Sequence, residues 1–76
     1  MILDDFINNI IDQFDDTDPQ EFKADTDLRE LEEWSSLNAL SIIAMVDEEY
    51  DITLKGDDIK GINTIEELFN LIKSKK

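Results

Sequence analysis

The chemistry this chain can offer is concentrated in the serine pair of Trp34-Ser35-Ser36-Leu37. A helix start needs one side-chain oxygen, accepting a backbone N–H two or three residues on. Ser35 or Ser36 can supply it, and capping alone accounts for one of the two. If Ser35 is the cap, Ser36 falls at the first helical position and its hydroxyl points outward. A phosphate joined to that hydroxyl would lie beside unpaired backbone N–H groups, at the positive end of the helix dipole. Ser36 cannot activate itself. A nucleophilic serine needs an adjacent base, and the chain has no His and no Cys. Lys23, Lys55 and Lys60 are not placed near it by sequence. Chemistry at Ser36 must therefore be performed by another protein. The chain is short and shows no paired acid and base beyond surface carboxylates, which argues against an enzyme.

A second set of candidate groups is acidic. Asp15, Asp16, Asp18 and Glu21 crowd together, as do Asp25 and Asp27. A calcium loop of the EF-hand kind needs alternating ligands, a Gly at its sixth place and a closing Glu at its twelfth. Counted from Asp16, those places hold Glu21 and Asp27; counted from Asp25, the fifth place is Arg29. The fit is poor, and a solvated charge run is the better reading.

Helices must position these residues. Ile2, Leu3, Phe6, Ile7, Ile10, Ile11 and Phe14 recur at spacings of three and four, which predicts an amphipathic helix ending near Asp15. Asp16-Thr17-Asp18-Pro19 is a turn-forming cluster. Residues 15–35 read as a long connection anchored by Phe22, Leu28, Leu31 and Trp34, with a helical turn over Asp27–Leu31. A helix from about Ser36 to Tyr50 follows, then extended chain at Ile52 and Leu54 and a turn at Lys55-Gly56. One short helical turn over Asp57–Lys60 ends at Gly61. Thr64 and Glu67 have capping-box spacing at the start of the last helix, whose stripe is Ile65, Leu68, Phe69 and Ile72. Lys73, Lys75 and Lys76 stand at its C-terminal end, where positive charge is favoured. The expectation is an all-α, small four-helix bundle with three longer helices and one short one, and residues 1–76 as a single domain.

The central helix is too apolar for one buried face. Ala39, Ile42, Ile43, Val46 and Tyr50 make a stripe sufficient for packing. Leu37, Leu40, Ala44 and Met45 lie off it, flanked by Asn38, Ser41, Asp47 and Glu48. They read either as a helix buried on both sides or as a partner-docking surface with an apolar centre and an acidic rim.

Trp34-Ser35-Ser36-Leu37, leading into an apolar helix that ends in Asp47-Glu48-Glu49-Tyr50, resembles the acyl carrier proteins. The resemblance runs over essentially the whole chain, through Ile62-Asn63-Thr64-Ile65 at the start of the last helix. It implies that a phosphopantetheinyl transferase uses coenzyme A and Mg²⁺ to attach 4′-phosphopantetheine to the Ser of the Ser-Leu pair, which by position is Ser36. It implies a carrier whose working thiol arrives on the cofactor and holds an acyl group as a thioester. It further implies that partners read Leu37, Ala44, Asp47 and Glu48, with Leu40 on the same strip. Where the family usually has Gly-x-Asp-Ser-Leu, this chain has Glu33, Trp34, Ser35, Ser36 and Leu37. Asn38 and Ser41 stand where many members carry acids. These departures point to a dedicated carrier in a specialised lipid or secondary-metabolite pathway, of fatty acid or polyketide character, served by its own ligase or synthase. The alternative is a carrier-like interaction module that is never modified and acts through its acidic and apolar second helix.

Charge sets the partner class. The 76 residues hold 20 acidic and 7 basic side chains, a net charge of -13. Residues 1–36 contribute -10 and residues 37–76 contribute -3. Such a field repels nucleic acid and anionic lipid and attracts enzymes with basic docking surfaces. No secretory signal or membrane-spanning run is visible, and zero Cys fits a reducing compartment. The expectation is a soluble, monomeric cytoplasmic protein. The same field strains the fold by self-repulsion. Added salt or Mg²⁺ is therefore expected to raise the melting temperature; a midpoint flat from low to moderate ionic strength would contradict it.

Overall fold

The computed structural model describes residues 2–75. Among them the helices are α1 (Leu3–Ile11), α2 (Ser36–Tyr50), α3 (Gly56–Lys60) and α4 (Ile65–Lys75). Two 3₁₀ turns, Pro19–Glu21 and Leu28–Glu30, interrupt the connection between α1 and α2. The result is the expected small all-α bundle of three longer helices and one short one.

α1 forms because its apolar residues repeat at helical spacing and Asp4 and Asp5 sit in its first turn, where negative charge is favoured. It is shorter than the periodicity predicts, ending at Ile11 rather than near Asp15. The hydrogen-bond ladder tightens there: Gln13 N–H donates to Ile10 O at 2.9 Å and Phe14 N–H to Ile11 O at 3.0 Å. The next two amides, of Asp15 and Asp16, are taken by the Glu33 carboxylate. The break itself is local: Gln13 Nε2 donates at 3.2 Å to Asn9 O, the carbonyl that the Gln13 amide would reach in a continued helix.

The connection keeps to the core through the expected anchors. Phe22 and Leu28 are buried, and Leu31 and Trp34 pack against the core at its edge. Asp27 caps the Leu28–Glu30 turn by accepting from Arg29 N–H at 2.9 Å. The Pro19–Glu21 turn, which periodicity does not reveal, is capped in the same way: Asp18 accepts from Gln20 N–H at 2.9 Å. The connection also closes the start of α4. Ile65 N–H donates to Thr26 O at 3.2 Å and Glu66 N–H to Ala24 O at 2.9 Å, satisfying amides that a helix start leaves free. The Thr64–Glu67 capping box is present, with Thr64 N–H to Glu67 Oε1 at 3.0 Å and Glu67 N–H to Thr64 Oγ1 at 3.1 Å. The bond from the Thr64 amide, helped by those from the Asn63 amide and the Thr64 hydroxyl, holds the Glu67 carboxyl below its usual pKa.

Phe6, Ile10, Ile42, Val46, Ile65, Leu68 and Ile72 form the fully buried centre. The Phe6 ring lies 5.8 Å from Tyr50 and 5.7 Å from Phe69, tilted to both, an arrangement aromatic pairs favour. Asn9 Nδ2 donates to the Tyr50 hydroxyl at 2.8 Å, tying α1 to the end of α2. Ile52 and Leu54, in the extended chain after α2, are buried as well.

One residue assigned to the outer strip of α2 moves inward. Met45 is 6% exposed and belongs to the core, because it stands three residues from Ile42 and so shares its face. Asn38, expected as a polar flank, is 9% exposed and packs under the start of the helix, four residues before Ile42.

The packing predicts unequal costs. Phe6→Ala is expected to lose about 3–5 kcal/mol through the cavity it leaves. Leu40→Ala, at a residue 61% exposed, is expected to change stability by less than about 0.5 kcal/mol. Urea denaturation of the two variants measures both, and equal costs would refute this assignment of core and surface.

Candidate functional site

Ser35 occupies the N-cap position of α2 in extended geometry, and its carbonyl accepts the first helical bond from Ala39 N–H at 3.1 Å. Its side chain does not cap the helix as expected. The hydroxyl donates instead to Asn38 Oδ1 at 2.8 Å, and Asn38 Nδ2 donates to Gln13 O at 3.2 Å. A buried amide three residues on supplies an acceptor that competes with the cap geometry, and the backbone of Gln13 holds that amide in place.

Ser36 is the first residue of α2 and is exposed. Among the described residues no hydrogen bond engages its hydroxyl, and none engages the amides of Ser36, Leu37 or Asn38. The two serines are thus chemically unlike: the Ser35 hydroxyl is committed to Asn38, and the Ser36 hydroxyl is free beside three unpaired N–H groups. Such a helix start favours a negatively charged oxygen ligand.

α2 presents Leu37, 73% exposed, and Leu40, 61% exposed, with Ala44, Asp47 and Glu48 also on the surface. An apolar strip with carboxylates at its C-terminal end faces outward. Beside it, α2 and α3 border a groove of about 540 Å³ that Ser36 shares with Trp34, Leu40, Ile43, Ile59 and Lys60. Arg29 also lines this groove, and its Nη2 donates to Ile59 O and Lys60 O, fastening the Leu28–Glu30 turn to the end of α3. The fold thus brings Lys60 to the groove of Ser36, which sequence spacing does not place. Lys55 and Lys23 do not line it.

Glu33 is the other feature spacing does not reveal. Its Oε2 accepts from Asp15 N–H at 2.9 Å; its Oε1 accepts from Asp16 N–H at 2.9 Å and from Thr17 Oγ1 at 2.7 Å. The acidic run of residues 15–18 therefore supplies amide donors to a carboxylate. Among the described residues no group of side chains is arranged to hold a metal ion.

The profile of the phosphopantetheine attachment site family matches residues 5–72. This chain belongs to that family. Its members carry covalently attached 4′-phosphopantetheine and are carriers rather than catalysts. They interact with phosphopantetheinyl transferases and synthase enzymes. The bundle described above is accordingly of the acyl-carrier type. No curated protein and no solved structure matches the chain. No helix of the described residues is long and apolar enough to cross a membrane. The donor set of this carrier domain fits the cofactor: a free hydroxyl for an ester bond, unpaired amides for a phosphate and an adjoining open groove for an arm.

The Glu33 carboxyl is held below the usual glutamate value of 4.5, first by the Thr17 hydroxyl and then by the Asp15 amide. A carboxyl with a lowered folded pKa contributes stability above its unfolded value, and that contribution is lost as pH falls through the folded value. Glu33→Gln is therefore expected to be less stable than wild type at neutral pH, with the difference shrinking as pH falls below about 4.5. Asp16, Glu21, Glu30 and Glu32 line the same pocket as Glu33 in both proteins. Parallel denaturation curves at several pH values measure it, and a difference independent of pH would contradict the assignment.

Proposed function

We propose that Ser36 is the attachment residue and that the domain carries acyl groups for a specialised lipid or secondary-metabolite pathway in the cytoplasm. The observation that carries this reading is the exposed, unbonded Ser36 hydroxyl at the first position of α2, in a chain matched along most of its length by the attachment-site family. The transferase must supply the base, since the chain has no His. The Ser36 oxygen attacks the phosphorus of coenzyme A that bears the pantetheine. A new phosphodiester forms, the pyrophosphate bond breaks, adenosine 3′,5′-bisphosphate leaves, and the serine proton passes to the enzyme's base. Once bound, the arm supplies a thiol that holds an acyl group as a thioester. The unpaired amides of Ser36, Leu37 and Asn38 favour the charge of the phosphodiester.

Leu37, Leu40 and Ala44 would form the apolar centre of the docking surface, with Asp47 and Glu48 as its acidic rim. Partners are the phosphopantetheinyl transferase and the ligase or synthase that loads the arm, each with a basic face. A field of -13 raises their encounter rate. Serving a dedicated set of partners is consistent with Asn38 being buried rather than displayed on that surface.

Co-expression with a broad-specificity phosphopantetheinyl transferase tests the reading by intact mass. Wild type and Ser35→Ala are expected to gain the mass of one phosphopantetheinyl group, and Ser36→Ala none. An unmodified wild type, or a modified Ser36→Ala, would refute it. An unmodified wild type with a stable partner in pulldown would favour the interaction module instead.

A further inference from the structure

We infer that Glu33 is a positioning residue for Ser36: with Asn38, it straps the serine-bearing segment onto the end of α1 and presents the hydroxyl to the modifying enzyme. The inference rests on the reading of Ser36 as the attachment residue.

Ser36 lies between two anchors that reach the same short stretch of chain. Three residues before it, the Glu33 carboxylate takes the amides of Asp15 and Asp16 and the hydroxyl of Thr17. Two residues after it, the Asn38 amide holds Gln13 O and accepts from Ser35. Between them the Trp34 ring stacks on Phe14, with centroids 6.4 Å apart and planes 24° from parallel. Residues 33–38 are thus docked on residues 13–17 by a carboxylate, an aromatic face and an amide. Among the described residues in that segment, the Ser36 hydroxyl and its neighbouring amides remain uncommitted.

This arrangement answers a specific difficulty. The connection before α2 runs for more than twenty residues with only two 3₁₀ turns. A reactive group at the end of such a connection samples many orientations unless something fixes it, and only the competent fraction reacts. Charge-assisted bonds to backbone N–H groups are among the stronger hydrogen bonds. Glu33 makes two of them across 17 and 18 residues of sequence. In the resemblance to acyl carriers this place is a glycine that makes a tight turn. Here a side chain does the positioning by reaching across the loop.

The test compares Glu33→Gln with Glu32→Gln. Both remove one negative charge three or four residues from Ser36, but Glu32 is exposed and none of the hydrogen bonds described here involves it. Phosphopantetheinylation of apo protein is followed kinetically with coenzyme A and a broad-specificity transferase. Because the α2 face on which the transferase would dock is unchanged, for Glu33→Gln kcat is expected to fall about five- to tenfold with KM for the apo protein within about twofold of wild type. For Glu32→Gln, both parameters are expected to stay within about twofold of wild type. Thr17→Val, which removes one of the three bonds without changing charge, should give an intermediate loss. Hydrogen exchange supplies a readout of location. In Glu33→Gln the amides of Asp15, Asp16 and Ala39, the last of which donates to Ser35 O, should exchange faster while those of Leu68 to Ile72 in α4 stay protected. Equal rates for Glu33→Gln and wild type would overturn the inference alone, as would equal losses in the two glutamine variants. A wild type that takes no arm overturns both this inference and the reading it rests on. Should Glu33→Gln unfold, Thr17→Val decides: an unchanged kcat in a folded Thr17→Val protein refutes the strap.

Discussion

Among the described residues, three backbone N–H groups at the start of α2 have no acceptor, and the rest of the fold is organised to tolerate that. A helix start normally recruits a side-chain oxygen, and Ser35 stands in the right place to provide one. It turns to Asn38 instead. The helix is then held by its buried side, where Ile42, Met45 and Val46 pack into the core, and by the Tyr50 hydroxyl at its far end. Most helix stability in a folded protein comes from such packing rather than from the terminus itself. The cost of the unpaired amides of Ser36 and Leu37 is small because both residues are exposed. Their value lies in a persistent positive potential beside an exposed hydroxyl.

The elements of the fold were legible where periodicity is strong. The boundaries of α2, the apolar stripe of α4 and the Thr64–Glu67 box follow from spacing of three and four residues, since each depends on contacts within one or two turns. The end of α1 was not legible. The ladder breaks at Gln13, whose side chain takes the Asn9 carbonyl, and the donors beyond it go to Glu33, 16 to 18 residues away, a pairing that no local pattern encodes. Met45 was ambiguous for a related reason. A helix apolar on more than one face does not say which residue turns inward until its neighbours are placed. At the candidate site, the free state of Ser36 and the exposure of Leu37 and Leu40 agree with the spacing. The commitment of Ser35 to Asn38, and the arrival of Lys60 at the groove, depend on the tertiary fold.

Charge and structure divide the chain in a consistent way. The acidic excess is steepest before Ser36, in the segment that lacks long helices. Loop carboxylates there are put to local use: Asp18 and Asp27 cap 3₁₀ turns, and Glu33 gathers donors from the end of α1. An acidic loop thereby acquires order without a large apolar core, which a 76-residue chain cannot supply in full. Among the described residues the ion pair is Lys75 with Asp58, at 3.7 Å. A surface pair of that length contributes little, so the negative field is left almost uncompensated.

The absence of His and Cys also has a structural consequence. A carrier that attached its own phosphopantetheine arm would need a base beside the accepting serine, and the base would compete for the hydroxyl. Here the residues nearest in sequence are a serine engaged elsewhere and a leucine facing solvent. With no internal partner, the hydroxyl is equally accessible to any enzyme able to recognise the surface around it. On the proposed reading of Ser36, selectivity would come from docking through the exposed apolar and acidic face of α2. Orientation must come from the strap beneath the serine. The two requirements fall on opposite sides of the same helix start: the outward side is left bare for partners, and the inward side is bound to the end of α1.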